Sequence, residues 1–301
     1  MRALVTGANG FVGRHLVAHL RAAGDEVITT DRSEGGPDLL DAEGWARTLA
    51  AARPEVVFHL AGDADVGGSW KHARETFRIN AEGTLVVLAA ARDHGATRVV
   101  NVGSADVYGK VPADRLPITE SHPLEPASPY AASKIAADYL GLQAWLGWGL
   151  EVIRVRPFNH IGPGQSDRFV APAIAMRIAH NEIDGGDEVP VGNLTPQRDL
   201  TDVRDVVRAY RLLADHGEPG EVYNVCSGQA VAISEIAEQL LAMATRPMRL
   251  VSDPELFRPV DLPVLVGDFS KLRERTGWQP EIPIGTTIKD LMEDCRSRLS
   301  D

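Results

Sequence analysis

Five short apolar runs rich in β-branched residues, Ala3–Val5, Glu26–Thr30, Val56–Leu60, Arg98–Val102 and Glu151–Val155, punctuate the first half of the chain. Runs of this length and composition predict strands of a buried sheet. Between them, Phe11–Ala23, Glu43–Ala52, Glu75–His94 and Tyr130–Trp145 carry apolar positions at helical spacing and predict helices. Strand and helix in alternation predict an α/β fold, a Rossmann-type doubly wound parallel sheet with right-handed crossovers. Gly24, Gly95 and Gly149 each follow a helical run, where a left-handed residue ends a helix without a Cβ penalty.

Beyond Val155 the pattern loosens. Arg156 to Gln165 is dense in proline and glycine, and shorter helical patterns follow at Ala171–His180, Val203–Ala214 and Ser234–Ala244. This predicts a smaller C-terminal α/β lobe, with residues 1–159 forming the sheet domain and 160–301 mainly the lobe. The stretch from about 198 to 215 is expected to pack back on the sheet domain. The 301 residues suffice for one large or two small domains. No repeat or low-complexity tract interrupts them.

The formal net charge is −11, which repels phosphate backbones and anionic lipid, so neither a general nucleic-acid role nor a membrane-surface role is expected. Ala3-Leu4-Val5 reads as a strand and leaves no room for a signal peptide, and no apolar run reaches the roughly 18–20 residues of a membrane span. A cytoplasmic protein is expected. Cys226 and Cys295 show neither metal-ligand spacing nor a disulfide framework, so no metal is expected.

The strongest local chemistry is Thr6-Gly7-Ala8-Asn9-Gly10-Phe11-Val12-Gly13, a glycine-rich turn between a strand and a helix. Gly7 and Gly10 allow a tight turn and close approach of a pyrophosphate to helix N–H groups, and Gly13 lets helix and strand pack closely. Asn9, Phe11 and Val12 complete this candidate cradle for NAD(H) or NADP(H). Asp31 ends the second strand, 18 residues after Gly13, where an acid accepts both ribose hydroxyls of an adenosine. Arg32 beside it either pairs with a 2′-phosphate or is a solvated surface charge. Asp38, followed by Leu39, either reaches the adenine amino group or starts a helix.

Tyr130-Ala131-Ala132-Ser133-Lys134 sets a phenol and an ammonium four residues apart on one helix face. An ammonium beside a phenol favours the phenolate, which would bring Tyr130 below its ordinary pKa of about 10. Ser104 ends the Arg98–Val102 strand region, where such a sheet gathers its ligands, and can hydrogen-bond the same substrate oxygen. These three are the candidate catalytic set.

His59-Leu60-Ala61-Gly62, Asn80-Ala-Glu-Gly-Thr84, Gly103-Ser-Ala-Asp-Val-Tyr-Gly109 and Ser128-Pro-Tyr-Ala-Ala-Ser-Lys134, with the glycine-rich turn, resemble the extended short-chain dehydrogenase/reductases that act on nucleotide sugars. Arg156-Pro-Phe-Asn-His-Ile-Gly-Pro-Gly-Gln165, Val191-Gly-Asn193, Arg198-Asp-Leu-Thr-Asp-Val-Arg-Asp205 and Tyr223-Asn-Val-Cys-Ser-Gly228 narrow the resemblance to the branch holding GDP-mannose 4,6-dehydratases and GDP-4-keto-6-deoxy-mannose reductases. The resemblance implies cofactor contacts from Leu60, Ala61, Gly62, Asn80, Tyr130, Lys134 and Pro157 besides the turn. It implies a GDP-sugar held by Ser104, Ala105, Asp106, Tyr130, Asn159, Arg198, Arg258 and Asp261, and a homodimer.

Within that branch a 4,6-dehydratase needs acid and base groups near C5 and C6 of the sugar. The chain offers Ser104-Ala105-Asp106, where Ala105 transfers no proton and Asp106 is a methylene shorter than the family's Glu. A reductase needs only hydride delivery to the C4 carbonyl and a proton from Tyr130. The resemblance therefore implies reduction of GDP-4-keto-6-deoxy-D-mannose to GDP-D-rhamnose. A dehydratase and a nucleotide-sugar 4-epimerase, which shares the triad, are the alternatives, and a non-catalytic binding protein on the same fold is disfavoured by the intact triad. His59 reads as a packed, satisfied histidine, and His160 as part of a segment shaped by backbone geometry.

Overall fold

The computed structural model describes residues 1–257 and 262–300. The first half runs β1 (Arg2–Thr6), α1 (Phe11–Ala22), β2 (Glu26–Thr30), α2 (Ala42–Ala52), β3 (Val56–His59), α3 (Ala73–Phe77), α4 (Gly83–Asp93), β4 (Arg98–Val102), α5 (Pro129–Trp148) and β5 (Glu151–Pro157). The second half runs β6 (Asn159–Ile161), α6 (Val170–Asp184), β7 (Glu188–Val191), β8 (Gln197–Asp202), α7 (Val203–His216), β9 (Val222–Val225), β10 (Ala230–Ala232), α8 (Ile233–Ala242), β11 (Arg249–Ser252), β12 (Val264–Leu265), α9 (Ser270–Thr276) and α10 (Ile284–Ser300).

A six-stranded sheet in the order β2-β1-β3-β4-β5-β9 forms the main layer, all of its neighbours parallel. Its two faces follow from the two-residue period of the strands. Ala3, Val5, Val100 and Val155 point to the face covered by α1 and α7, against Leu16, Leu20, Val206 and Leu213. Leu4, Val57, Val99 and Val152 point to the other, against Trp45, Leu49, Val87, Leu88 and Ala144 from α2, α4 and α5. α7 and β9, which come after the first strands of the second lobe, thus return to the sheet. That lobe has its own core, where Ile174 and Ile178 of α6, Ile236 and Leu240 of α8 and Ile288 and Leu291 of α10 are buried together.

Gly24, Gly95 and Gly149 adopt φ of 82°, 76° and 71°, the left-handed conformation that ends a helix. The stretch expected as one helix over Glu75–His94 contains a π-helical turn, Arg78–Glu82, between α3 and α4. Cys226 and Cys295 are buried and free. No helix among the described residues is long and apolar enough to cross a membrane.

Candidate active site

The site gathers at the C-terminal ends of the central strands, where the chain leaves β1, β3, β4 and β5. Gly7 has φ of 66°, and a Cβ there would stand 3.0 Å from the Ala61 backbone nitrogen. At Gly13 a Cβ would fall 2.1 Å from the Gly7 carbonyl oxygen and 2.8 Å from Ala8 Cα, so only glycine admits this packing of α1 on the turn. α1 starts at Gly10 with no side-chain cap and no acidic residue in its first turn. Its first N–H groups therefore face outward with a positive end to the helix dipole, which fits an anionic diphosphate.

Asp31 closes the other side of the turn. Asn9 N–H donates to one carboxylate oxygen at 3.1 Å, while Ser33 N–H and the Ser33 hydroxyl donate to the other at 3.0 and 2.7 Å. These hydrogen bonds outweigh partial burial and hold the carboxyl below its ordinary range, keeping an acceptor ready for a ribose. Arg32 is 80% exposed at its side chain and lies 3.6 Å from Asp38, itself half exposed, so this pair contributes little and leaves the guanidinium movable. Asp38 Oδ1 accepts from Leu40 N–H at 2.9 Å, the turn role. Leu39 packs in the core beside Gly83.

Thr6 Oγ1 ties β1 to β3 by accepting from Leu60 and Ala61 N–H groups at 3.1 and 3.0 Å. The same hydroxyl lies 3.0 Å from His59 Nδ1, and His59 Nε2 lies 3.1 Å from Thr84 Oγ1, which donates to the Asn80 carbonyl. Donor counting assigns the ring as neutral with its proton on Nε2. Burial, helped by Lys134, pushes its pKa down to about 3. His59 is thus a satisfied core histidine.

Tyr130 and Lys134 stand one turn apart near the start of α5, whose N-cap Ser128 accepts from Ala131 N–H and whose first residue is Pro129. Ser104 caps the short 3-10 turn Ala105–Tyr108 after β4, and its hydroxyl hydrogen-bonds the Tyr130 phenol. The spatial set is the one expected, but its electrostatics are not. Burial, then the charge of Asp106, raise the Tyr130 pKa above its ordinary value despite the Ser104 hydrogen bond. The Lys134 ammonium instead donates to the Val102 carbonyl at 3.2 Å, and burial pushes it down to about 8. Tyr130 is therefore a protonated phenol, and the expected phenolate is corrected. A helical i,i+4 spacing sets the two side chains on one face but does not aim the flexible lysine at the phenol.

Asn80 sits on the π-helical turn, which aims its amide inward. Its Nδ2 donates to the Asp63 carbonyl and to Ser133 Oγ at 3.0 and 2.9 Å, and its Oδ1 accepts from Asp63 N–H at 2.8 Å. This pins the loop containing Gly62 against α5, close to Lys134: a Cβ on Gly62 would lie 3.7 Å from Nζ. Pro157 ends β5 in register with Val225, and Asn159 is exposed on β6. Arg198 on β8 donates to the carbonyls of Gln197 and Leu262 at 2.9 and 2.6 Å. Arg258 and Asp261 lie outside the described residues.

Two supporting features carry no motif. Ser69, fully buried, accepts from Tyr130 N–H at 3.3 Å and donates to the Val66 carbonyl, clamping the start of α5. Asp138, four residues after Lys134, is buried between Arg154 and Arg156, accepting from them at 2.8 and 3.0 Å. Arg156 then reaches the Tyr108 hydroxyl, which donates to Asn224 at 2.7 Å. An acidic residue continuing the Tyr130–Lys134 stripe was the available signal for Asp138. For Ser69 there was none. Among the described residues no group of three or more His, Cys, Asp or Glu is placed to hold a metal.

A glycine-rich turn opening onto a helix start, an acid at the end of β2 and a Ser-Tyr-Lys set on a doubly wound sheet are the pattern of a nicotinamide-dependent enzyme class. Residues 3–226 match the profile of the NAD dependent epimerase/dehydratase family, and the chain belongs to that family. It is 39% identical to the GDP-6-deoxy-D-mannose reductase of Pseudomonas aeruginosa over all of this chain and 99% of the relative. It is 31% identical to the UDP-glucose 4-epimerase of Mycolicibacterium smegmatis, over 99% of each chain. Among solved structures, RMD from Pseudomonas aeruginosa complexed with NADPH superposes with a TM-score of 0.90 at 38% identity, covering 99% of this chain and 100% of that one.

Proposed function

We propose that the protein reduces the C4 carbonyl of GDP-4-keto-6-deoxy-D-mannose to GDP-D-rhamnose. The observation that carries this reading is the turn after Ser104. Ala105 is 2% exposed and offers no proton-transferring group where a 4,6-elimination needs one, while the protonated phenol of Tyr130 suits the single proton a reduction consumes. The relation to a GDP-6-deoxy-D-mannose reductase supports it.

Reduced nicotinamide, when bound, supplies the hydride that adds to C4. Ser104 hydrogen-bonds the carbonyl oxygen, and the electron pair displaced onto that oxygen takes the phenolic proton of Tyr130. The phenolate left behind, toward which the flexible Lys134 side chain would turn its ammonium from the Val102 carbonyl, is reprotonated from solvent. Asn159, Arg198, Arg258 and Asp261 serve the GDP-sugar side, arginine suiting a diphosphate by its bidentate geometry.

Incubation with GDP-4-keto-6-deoxy-D-mannose and NADPH is expected to oxidise one cofactor per sugar and give GDP-D-rhamnose by NMR. GDP-mannose alone should be left unchanged. Absence of cofactor loss would sink the reading, water loss from GDP-mannose would make the enzyme a dehydratase, and C4 inversion without net redox would make it an epimerase.

Arg32 belongs to this reading as the 2′-phosphate ligand. Arg32→Ala is expected to weaken NADPH about tenfold and leave NADH unchanged, as one charge-assisted contact implies. Equal affinities before and after would remove the role. A homodimer across α4 and α5 completes the proposal, supported by the exposed Phe77, Leu85, Tyr139 and Leu146 on and beside those helices.

A further inference from the structure

Lys134 carries a buried ammonium with little to balance it. The group has three N–H donors, one of which goes to the Val102 carbonyl at 3.2 Å, and it forms no ion pair among the described residues. A charge taken out of water calls for a counter-charge. The groups packed round it narrow the choice. His59, at the end of β3, is neutral and satisfied by Thr6 and Thr84. Tyr130 on the same helix is a protonated phenol, and Asp138, further along it, is taken by Arg154 and Arg156. Asp106, on the turn after Ser104, acts on the Tyr130 phenol.

Asp63, in the loop after β3, is the remaining carboxylate. A Cβ on Gly62 would lie 3.7 Å from Lys134 Nζ, so the residue before Asp63 stands against the ammonium. Asn80 brackets the Asp63 peptide: its Oδ1 accepts from the N–H at 2.8 Å and its Nδ2 donates to the carbonyl at 3.0 Å. The same Nδ2 reaches Ser133, the neighbour of Lys134. The carboxylate is fixed as well. Its Oδ2 accepts from the hydroxyl of the fully buried Thr76 at 2.6 Å, and its Oδ1 from Asp65 N–H at 3.0 Å. Both donors are neutral, and Asp63 too forms no ion pair among the described residues. Two opposite charges thus sit on a loop and a helix clamped together by Asn80, and Asp63 is the charge that opposes the effect of burial on Lys134.

We infer that Asp63 is a positioning residue of the Ser104, Tyr130 and Lys134 set, its fixed carboxylate supplying, through space, the counter-charge that retains the Lys134 ammonium in the site. A contact ion pair would tie the ammonium down. A charge at a distance leaves it able to turn from the Val102 carbonyl toward the phenolate formed at Tyr130. The inference deepens the proposed reduction and rests on it for its rate readout alone.

The test follows the Lys134 amine itself. The chain has five lysines, so in protein labelled with carbon-13 at lysine Cε the Lys134 NMR signal is assigned by its loss in Lys134→Met, with Lys71, Lys110, Lys271 and Lys289 as internal references. Asp63→Asn keeps an acceptor for Asp65 N–H and can donate to Thr76. In it Lys134 is expected to lose its proton at lower pH than in the wild type, the other four being unmoved. Asp63→Glu, which keeps the charge, should restore the wild-type titration. The alkaline fall in kcat should move with the amine, so that kcat at pH 8 relative to pH 6 drops about two- to fivefold, the order expected when one charge near a buried group is removed. Tyr130, raised by the same carboxylate, stays protonated over this range in either protein. An unmoved Lys134 titration would overturn the inference, and a kcat lowered equally at every pH alongside it would mean that Asp63 only shapes the loop. Should Asp63→Asn not fold, Asp63→Gln gives the same comparison. A wild type that reduces no sugar would remove the proposed reaction and leave the titration to decide on Asp63.

Discussion

Replacing Tyr130 by phenylalanine is expected to lower the rate of carbonyl reduction by about 10²- to 10⁴-fold, the usual worth of a positioned general acid, while NADPH affinity stays within about twofold. The ring is 7% exposed and remains packed without its hydroxyl, so the loss falls on kcat. Lys134 gives the same chemistry a pH signature. Its ammonium is pushed down to about 8, so the charge available to stabilise the phenolate formed at Tyr130 is lost as pH rises through that value. The rate should therefore be flat on the acid side of pH 8 and fall on the alkaline side, and Lys134→Arg should move that fall to higher pH. A rate that rose with pH would mean that Tyr130 works as a base.

The same lowered pKa has a stability consequence of known sign. Between about 8 and the ordinary lysine value of 10.5 the unfolded chain binds a proton that the folded chain has lost, so stability rises with pH across that window. Below it the burial cost is fully present. Lys134→Met, which removes the cost, is expected to be more stable than the wild type at neutral pH by about 2 kcal/mol, and inactive. Urea unfolding at pH 7 and pH 10 would measure the gain and its narrowing.

The second large effect is on folding. Asp138 is 1% exposed and stands between two buried guanidinium groups, so Asp138→Ala leaves Arg154 and Arg156 as uncompensated charges. Breaking such a group from one side costs about 3–5 kcal/mol. In a chain of this size that corresponds to a fall in Tm on the order of 10 °C. Asp138→Asn, which keeps the shape and an acceptor, should lose less. Arg156 also holds Tyr108 and, through it, Asn224 beneath the Ser104 turn, so Asp138→Ala should lower kcat more than it changes the NADPH Kd. Unfolding midpoints within experimental error of the wild type would contradict this account of the network.

The sheet was legible because buried parallel strands leave continuous apolar runs and because Gly24, Gly95 and Gly149 mark helix ends through a backbone requirement. The cradle and the Ser104, Tyr130 and Lys134 set were legible for the same kind of reason, since turn geometry and helical spacing are local. What depends on tertiary surroundings was not. The direction of the Tyr130 shift is set by burial and by Asp106, which a spacing of four residues does not report. The π-helical turn at Arg78–Glu82 follows from packing around Asn80, whereas the residues themselves read as ordinary helix. Ser69 acts through a loop that meets α5 only in the fold. Arg154 and Arg156, in a strand that reads as apolar, are buried because a helix brings Asp138 to them.

The central claim is that hydride passes from nicotinamide to C4 of the sugar with net consumption of cofactor. NADPH deuterated at the nicotinamide C4, in each of its two positions in turn, should with one of the two isomers deliver a single deuterium to C4 of GDP-D-rhamnose, one cofactor being oxidised per product. Sugar conversion with no oxidised cofactor accumulating and no deuterium at C4 would contradict it.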